Sequence, residues 1–403
     1  MQKSKNMDNL DKKIEELITI GVEEIIEKNS LVKKLKSGKT LRIKFGVDPT
    51  SPDLHLGHCV ILRKLKQFQL LGHKVIFLIG DFTATIGDPS GRTVMRKSLA
   101  KKEILKNMKD YIKQAGKILD IKKTEIRYNS EWYEKRSAMF LFELSSRFTL
   151  ARVTERDDFQ RRLKENIDIS MLEIIYPLLQ GYDSVMLKSD IEIGGRDQKF
   201  NLLMGRKVQK KYNQPQQDII TMPLLEGTDG ARKMSKSCGN YIGINEPFLE
   251  MFGKIMSIPD ELMWKYFILL TDVSIEEIEK IQEQKQKTLI SPKDVKILLA
   301  KKIIEIFHGK KEAENAEKEF EKVFKDNQAP SEIEEIKITE PKLNILDLLL
   351  KTKIAPSKSE AKRLILQKGI KIDGKTEEDW QKQIEIKKGM VIQAGKRKFA
   401  KII

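Results

Sequence analysis

A doubly wound, parallel-sheet (Rossmann-like) α/β fold is predicted for residues 1–245, followed by a helical segment and a small basic α+β module. Three observations carry the first part. Strand, helix and strand patterns follow one another at the spacing of a βαβ unit, whose right-handed crossover favours a parallel sheet. A short continuous apolar run reads as a strand covered on both faces. Polar, Gly-containing segments recur where these strands end, which is where ligands sit in such sheets.

Taken in order, residues 1–30 mix Lys, Asp and Glu through Ile/Leu positions and read as an amphipathic helix, not a signal peptide. Residues 41–47 alternate and run into Asp48-Pro49, a strand entering a turn. Residues 56–71 carry Leu62, Leu65, Phe68 and Leu71 at helical spacing and stop at Gly72. The apolar run follows at 74–79. Residues 131–169 are more helical and charged, an insertion into the alternation. Strand patterns return at 191–193 and 218–222, with a helix over 197–210 between them. Helical patterns fill 246–325, and 326–341 is polar with two prolines, a linker. In 342–403, helices over 344–352 and 358–368 precede β-like segments around Gly374 and Gly389.

Charge adds a second kind of information. The chain carries 76 Lys+Arg against 59 Asp+Glu, a net +17. Residues 341–403 hold 16 Lys/Arg against 7 Asp/Glu, so +9 of that excess sits in the terminal module. A Lys-rich composition accounts for the total but not for the concentration, which is an electrostatic footprint for nucleic acid. Two cysteines in unrelated contexts, Cys59 and Cys238, imply no disulfide scaffold and fit a reducing cytoplasm. No apolar run approaches a membrane span.

Two motifs carry chemistry. Asp48-Pro-Thr-Ser-Pro-Asp-Leu-His55-Leu-Gly57-His58 places two imidazoles and a glycine on the first turn of the helix over 56–71. There the N-terminal dipole and free N–H groups favour phosphate. About 175 residues on, Lys233-Met-Ser-Lys236-Ser follows the loop Gly227-Thr-Asp-Gly230, which can close over pyrophosphate. Either motif alone occurs by chance; in this order and at this separation they belong together. A metal site at His55 and His58 would need two further ligands. The chain has four histidines and no Cys-x-x-Cys, so no metal is expected. A third segment, from Gly80 through Asp88 to Arg92, is a turn after a buried strand and a candidate binding loop. A fourth, Tyr176-Pro-Leu-Leu-Gln180-Gly-Tyr-Asp183, sets Tyr176, Gln180 and Asp183 along one helical stripe beside apolar neighbours, which suits a pocket wall.

These motifs resemble those of the class I aminoacyl-tRNA synthetases. The stripe is similar to the substrate helix of the bacterial tyrosyl-tRNA synthetases. The resemblance implies activation of L-tyrosine by ATP, with Mg2+ accompanying the nucleotide, and transfer of tyrosine to tRNA(Tyr). It assigns catalysis to His55, His58, Lys233 and Lys236, and ATP binding to Asp48, Gly57, Gly195, Asp197 and Lys236. Tyr176, Gln180 and Asp88 would hold the substrate ammonium, Asp183 would accept from the phenol, and Gln198 would lie on the carboxylate side. The segment from Asn344 onward, in the module 342–403, looks like an S4-type RNA-binding domain. The resemblance also implies a homodimer through the insertion, with Trp132, Met139, Phe140, Phe142 and Leu144 as its apolar patch. This chain departs from many members by having Lys44-Phe45 where they have Tyr-Cys before the strand-end glycine, so contacts of that strand are not carried over. Two other readings are a tryptophanyl-type ligase, for which Asp183 and the tail are wrong, and an RNA-binding protein on a retired synthetase scaffold, for which broken motifs would be expected.

Overall fold

A computed structural model describes residues 2–49, 53–88, 101–325, 334–395 and 398–403. Part of the first motif (50–52) and the end of the turn segment (89–92) lie outside these residues. The chain divides into two compact units: 1–246 with 257–307, and 247–256 with 308–403. The expected helical segment 246–325 is thus shared between them.

The first unit is built on six strands: β1 Glu24–Ile26, β2 Arg42–Val47, β3 Lys74–Ile79, β4 Glu125–Tyr128, β5 Ile191–Gly195 and β6 Asp218–Met222. Their order is β1-β6-β5-β2-β3-β4. All neighbours are parallel except β1, which runs antiparallel to β6. The edge strand β1 corrects the expectation of one helix over 1–30. Helix α1 (Gln2–Thr19) stops before Gly21, the chain reverses, and Ile25 pairs with Ile220 before α2 (Lys28–Leu35) begins. The buried Lys64 ammonium closes the end of α1, donating to the Leu17 and Ile20 carbonyls at 2.7 and 2.9 Å.

The sheet reverses its winding between β5 and β2. These two central strands are in register over only two positions, Ile43 with Ile191 and Lys44 with Glu192, whereas β2 and β3 pair over six. Beyond Lys44 and Glu192 they separate, which opens a crevice at the carboxyl end of the sheet. Helix α3 (Leu56–Leu70) crosses from β2 to β3, followed by the single turn α4 (Thr83–Ile86) and by α5 (Lys101–Ala115).

The insertion consists of α6 Ser130–Tyr133, α7 Ala138–Ser146, α8 Leu150–Val153 and α9 Asp157–Lys164. It packs with α10 (Met171–Leu187) over Ile76 and Leu78 of β3. Trp132, Phe140 and Leu144 belong to this core and are not available for the expected subunit patch. Phe140 and Leu144 are four apart on the inward face of α7, while Met139 and Phe142 point out, 69% and 68% exposed. Leu150 and Met171 extend the exposed apolar surface. Helix α11 (Lys199–Lys211) lies against α10 at a close approach: a Cβ on Gly181 would stand 2.6 Å from Val208 and 3.2 Å from the Met204 carbonyl oxygen.

After β6 come α12 Phe248–Met256, α13 Leu262–Leu270, α14 Ile275–Gln286, α15 Pro292–His308 and α16 Lys310–Lys325. Helices α12 and α16 meet through Phe252 and Phe320 in the second unit. That unit also holds β7 Glu334–Ile336, β8 Lys342–Asn344, α17 Ile345–Lys351, α18 Lys358–Leu366, β9 Ile370–Ile372, β10 Lys375–Glu377, β11 Gln383–Glu385, β12 Val391–Ala394 and β13 Lys398–Ile402. Strand β7 pairs in parallel with β13, and Ile336 and Ile338 pack on the module's core, so the linker expected over 326–341 is shorter than its polar composition suggests. No helix among the described residues is long and apolar enough to cross a membrane.

Gly181→Ala is expected to destabilise the protein by about 1–3 kcal/mol, because the added methyl meets backbone that cannot turn aside. A lowered midpoint in thermal unfolding checks this; an unchanged midpoint would show that α10 and α11 have room to part.

Candidate active site

The crevice is a cavity of about 320 Å³, within the range of small-molecule sites. Of the residues singled out in the sequence, Asp48, His55, Gly57, His58, Asp88 and Lys233 line it. So do Tyr176, Gln180 and Asp183 on α10, Gly195 at the end of β5, and Asp197 and Gln198 just after it. Lys236 does not line it.

The histidine motif and the lysine loop are tied by backbone. His55 caps α3 in extended conformation and bridges to Gly243. Leu56 N–H donates to the Ile242 carbonyl and Ile244 N–H to the Leu54 carbonyl, at 2.9 and 3.1 Å. The two imidazoles lie 4.0 Å apart, and His58 Nδ1 accepts the His55 backbone N–H at 3.2 Å. That bond leaves the His58 proton on Nε2. Burial first, and then the neighbouring imidazole and lysines, push His55 down to about 2. Burial and Lys233 push His58 down to about 4, against a backbone hydrogen bond that raises it. Both rings are neutral donors at pH 7. Buried His55 Nδ1 has no hydrogen-bond partner among the described residues. Gly57 serves the ring itself: a Cβ there would press within 3.0 Å of it.

Asn240 organises the lysine loop, and sequence reasoning missed it. Buried among the turns, it donates to Asp229 and to the Arg232 and Lys233 carbonyls at 3.1–3.2 Å, while its amide oxygen accepts Ser235 N–H at 2.9 Å. An asparagine three residues past a lysine-serine run looks like any turn residue; only its burial reveals the role. The loop lysines are held by carboxylates. Lys233 pairs with Asp197 at 2.5 Å, and Lys236 with Asp53 at 2.6 Å with its ammonium over the Tyr241 ring.

At the other end, the Tyr176 hydroxyl donates to Asp48 at 2.9 Å, and Asp48 also accepts from Thr83 at 2.8 Å. Gln198 donates to Asp88 at 2.7 Å and accepts from Asn201 at 2.9 Å. Asp183 is buried, accepting from Trp132 Nε1 at 3.0 Å and Asn129 Nδ2 at 3.4 Å. Burial pushes this acid up to about 7, opposed chiefly by the Lys44 charge and then by the Tyr133, Asn129 and Trp132 side chains. Tyr176, Asp48 and Asp88 make an acidic, hydroxyl-bearing wall suited to an ammonium. Asp183 offers an acceptor at the apolar end of the cavity.

Residues 36–325 match the family described as tRNA synthetases class I (W and Y), and residues 323–402 match a Tyrosine--tRNA ligase SYY-like C-terminal domain. The Tyrosine--tRNA ligase of Thermotoga maritima is 51% identical over 382 residues, 95% of each chain. That of Francisella tularensis is 52% identical over 390 residues, 96% of this chain and 98% of its own. Among solved structures, a C-terminally truncated mitochondrial tyrosyl-tRNA synthetase from Aspergillus nidulans superposes with a TM-score of 0.66 at 23% identity, covering 78% of this chain and 94% of its own. The Archaeoglobus fulgidus tyrosyl-tRNA synthetase complexed with L-tyrosine gives 0.62 at 24% identity, covering 76% of this chain and 99% of its own. At that identity the structures speak for the fold, while the sequence relatives carry the assignment: the chain belongs to the tyrosine–tRNA ligases of the class I aminoacyl-tRNA synthetases.

Proposed function

We propose that the cavity binds L-tyrosine and ATP, forms tyrosyl-adenylate and pyrophosphate, and passes tyrosine to the 3′ end of tRNA(Tyr). One observation carries this reading. A single cavity combines an ammonium-binding wall and a buried phenol acceptor with a paired-histidine helix start and a lysine loop. The tyrosine carboxylate, ionised at neutral pH, attacks the α-phosphorus; the bond to the bridging oxygen breaks and pyrophosphate leaves. No general base is needed. The task is to hold two anions together and meet charge that grows on the phosphoryl oxygens. Neutral imidazole N–H groups and the start of α3 do this without placing a fixed cation on the ground state. Lys233 and Lys236 exchange their carboxylate partners for phosphate oxygens, and Asp197 is released toward the ribose. Mg2+ arrives with ATP.

The basic second unit is the part we assign to tRNA, and a cytoplasmic location goes with these substrates. The exposed Met139, Phe142, Leu150 and Met171 side chains are what a symmetric dimer would cover.

Three outcomes follow for experiment. Lys236→Ala is expected to slow single-turnover adenylation about a hundredfold, on the order of 3 kcal/mol, with little change in tyrosine affinity; normal adenylation would reduce the loop to a surface turn. Asp183→Ala should narrow the preference for tyrosine over phenylalanine, while Gln180→Ala weakens both similarly, as read by pyrophosphate-exchange kinetics. An unchanged preference in Asp183→Ala would place phenol recognition elsewhere. Sedimentation of the full chain at micromolar concentration should give a dimer, and Phe142→Glu should give a monomer; a monomeric wild type would remove the dimer claim.

A further inference from the structure

Lys44 lies on β2, and its surroundings show what it can and cannot do. Its side chain is fully buried, and so is that of Glu192. The two are register partners at the last paired position before β2 and β5 separate. The Lys44 ammonium donates to Glu192 Oε1 at 2.8 Å, Ser184 Oγ at 2.8 Å and the Gln180 carbonyl at 3.0 Å. An ammonium has three N–H bonds, so none is left for a substrate. Two of these acceptors, Gln180 and Ser184, bracket Asp183 on α10. Glu192 is held in turn by Ser184 at 3.2 Å and by Gln217, in space kept open by Gly205, where a Cβ would meet Gln217 at 2.5 Å.

We propose that Lys44, fixed by Glu192, is a positioning residue for phenol recognition: it sets its ammonium under the turn of α10 that carries Asp183, without touching the substrate itself. The proposal rests on the reading of Asp183 as the phenol acceptor. An ionised carboxylate accepts from a phenol through a charge-assisted bond, stronger than the one a protonated acid can accept, and burial works against ionisation here. The groups facing Asp183 are Lys44 from β2, Asn129, Trp132 and Tyr133 from the segment after β4, and Tyr176 on its own helix, with Glu192 of β5 paired to Lys44. Among them Lys44 is the only cation. It has the largest opposing effect, and its loss would favour the protonated acid, a weaker acceptor for the phenol, which narrows the preference for tyrosine over phenylalanine.

The test is ATP–pyrophosphate exchange with tyrosine and with phenylalanine, from roughly pH 6 to pH 9, on the full chain carrying Lys44→Met together with Glu192→Gln. The double change removes a buried cation and anion at once and strands neither. The ratio of the two kcat/KM values cancels the ammonium titration that both amino acids share. In the wild type this ratio should fall on the acid side of about 7, where Asp183 takes up its proton. In the double variant that limb should move up by about one pH unit or more, and the preference near neutrality should drop about tenfold. A folded double variant with the wild-type ratio and pH profile would overturn the proposal. Asp183→Ala, which removes the acceptor altogether, is measured alongside and separates the two ideas. If it loses the preference while the double variant keeps it, only the role of Lys44 falls; if it also keeps the preference, the phenol reading of Asp183 falls first. Should the double variant not fold, Glu192→Gln alone decides: with the cation kept and its counter-charge gone, the limb should move to lower pH, and an upward shift contradicts the proposal.

Discussion

The site depends on the parting of β2 and β5. Parallel strands that stay in register bury their carboxyl ends against each other; these two hold register for two residues and then diverge. The gap is where main chain turns outward, so it collects polar side chains that would be costly anywhere else in the core. Asp48 follows β2, Gly195 ends β5 and Asp197 follows it, and α10 lies across the opening with Tyr176, Gln180 and Asp183 toward it. Moving the point of divergence by one residue would take Lys44 and Glu192 out of register and leave two buried charges unpaired, a loss comparable to breaking a buried ion pair, about 3–5 kcal/mol.

Within the crevice, nearly every polar group is held by another that a substrate can replace. Tyr176 rests on Asp48, Gln198 on Asp88, and Lys233 on Asp197. These contacts keep the groups near their working positions before ligands arrive, which lowers the cost of ordering them on binding. The exceptions are informative. His55 and His58 are neutral because they are buried, so they offer N–H donors without holding phosphate too tightly in the ground state. In the function proposed above, Asp183 keeps its partners when a phenol arrives, since a carboxylate has acceptor capacity to spare.

Local pattern made much of this legible in advance. The strand over 74–79 is a continuous apolar run, and α3 begins at its first apolar-periodic residue; both are set by neighbours in the chain. Twelve of the thirteen residues assigned to the site by motif line one cavity, because motif spacing on strand ends and a helix face already fixes direction. What escaped depends on contacts distant in sequence. Glu24–Ile26 became a strand because β6 had a free edge. Trp132 left the expected subunit patch because Asp183 needed a donor, fifty-one residues away. Lys44 lies within the alternating run over 41–47, but its environment is set by Glu192 and Ser184, which no periodicity can point to.

The most direct measurement is ATP–pyrophosphate exchange by the purified chain with each of the twenty amino acids in turn. The arrangement of an ammonium wall, a buried carboxylate acceptor and a triphosphate loop in one crevice predicts rapid exchange with tyrosine and, at equal concentration, little with phenylalanine or tryptophan. Exchange driven equally well by phenylalanine or tryptophan, or no exchange with any amino acid, would contradict it.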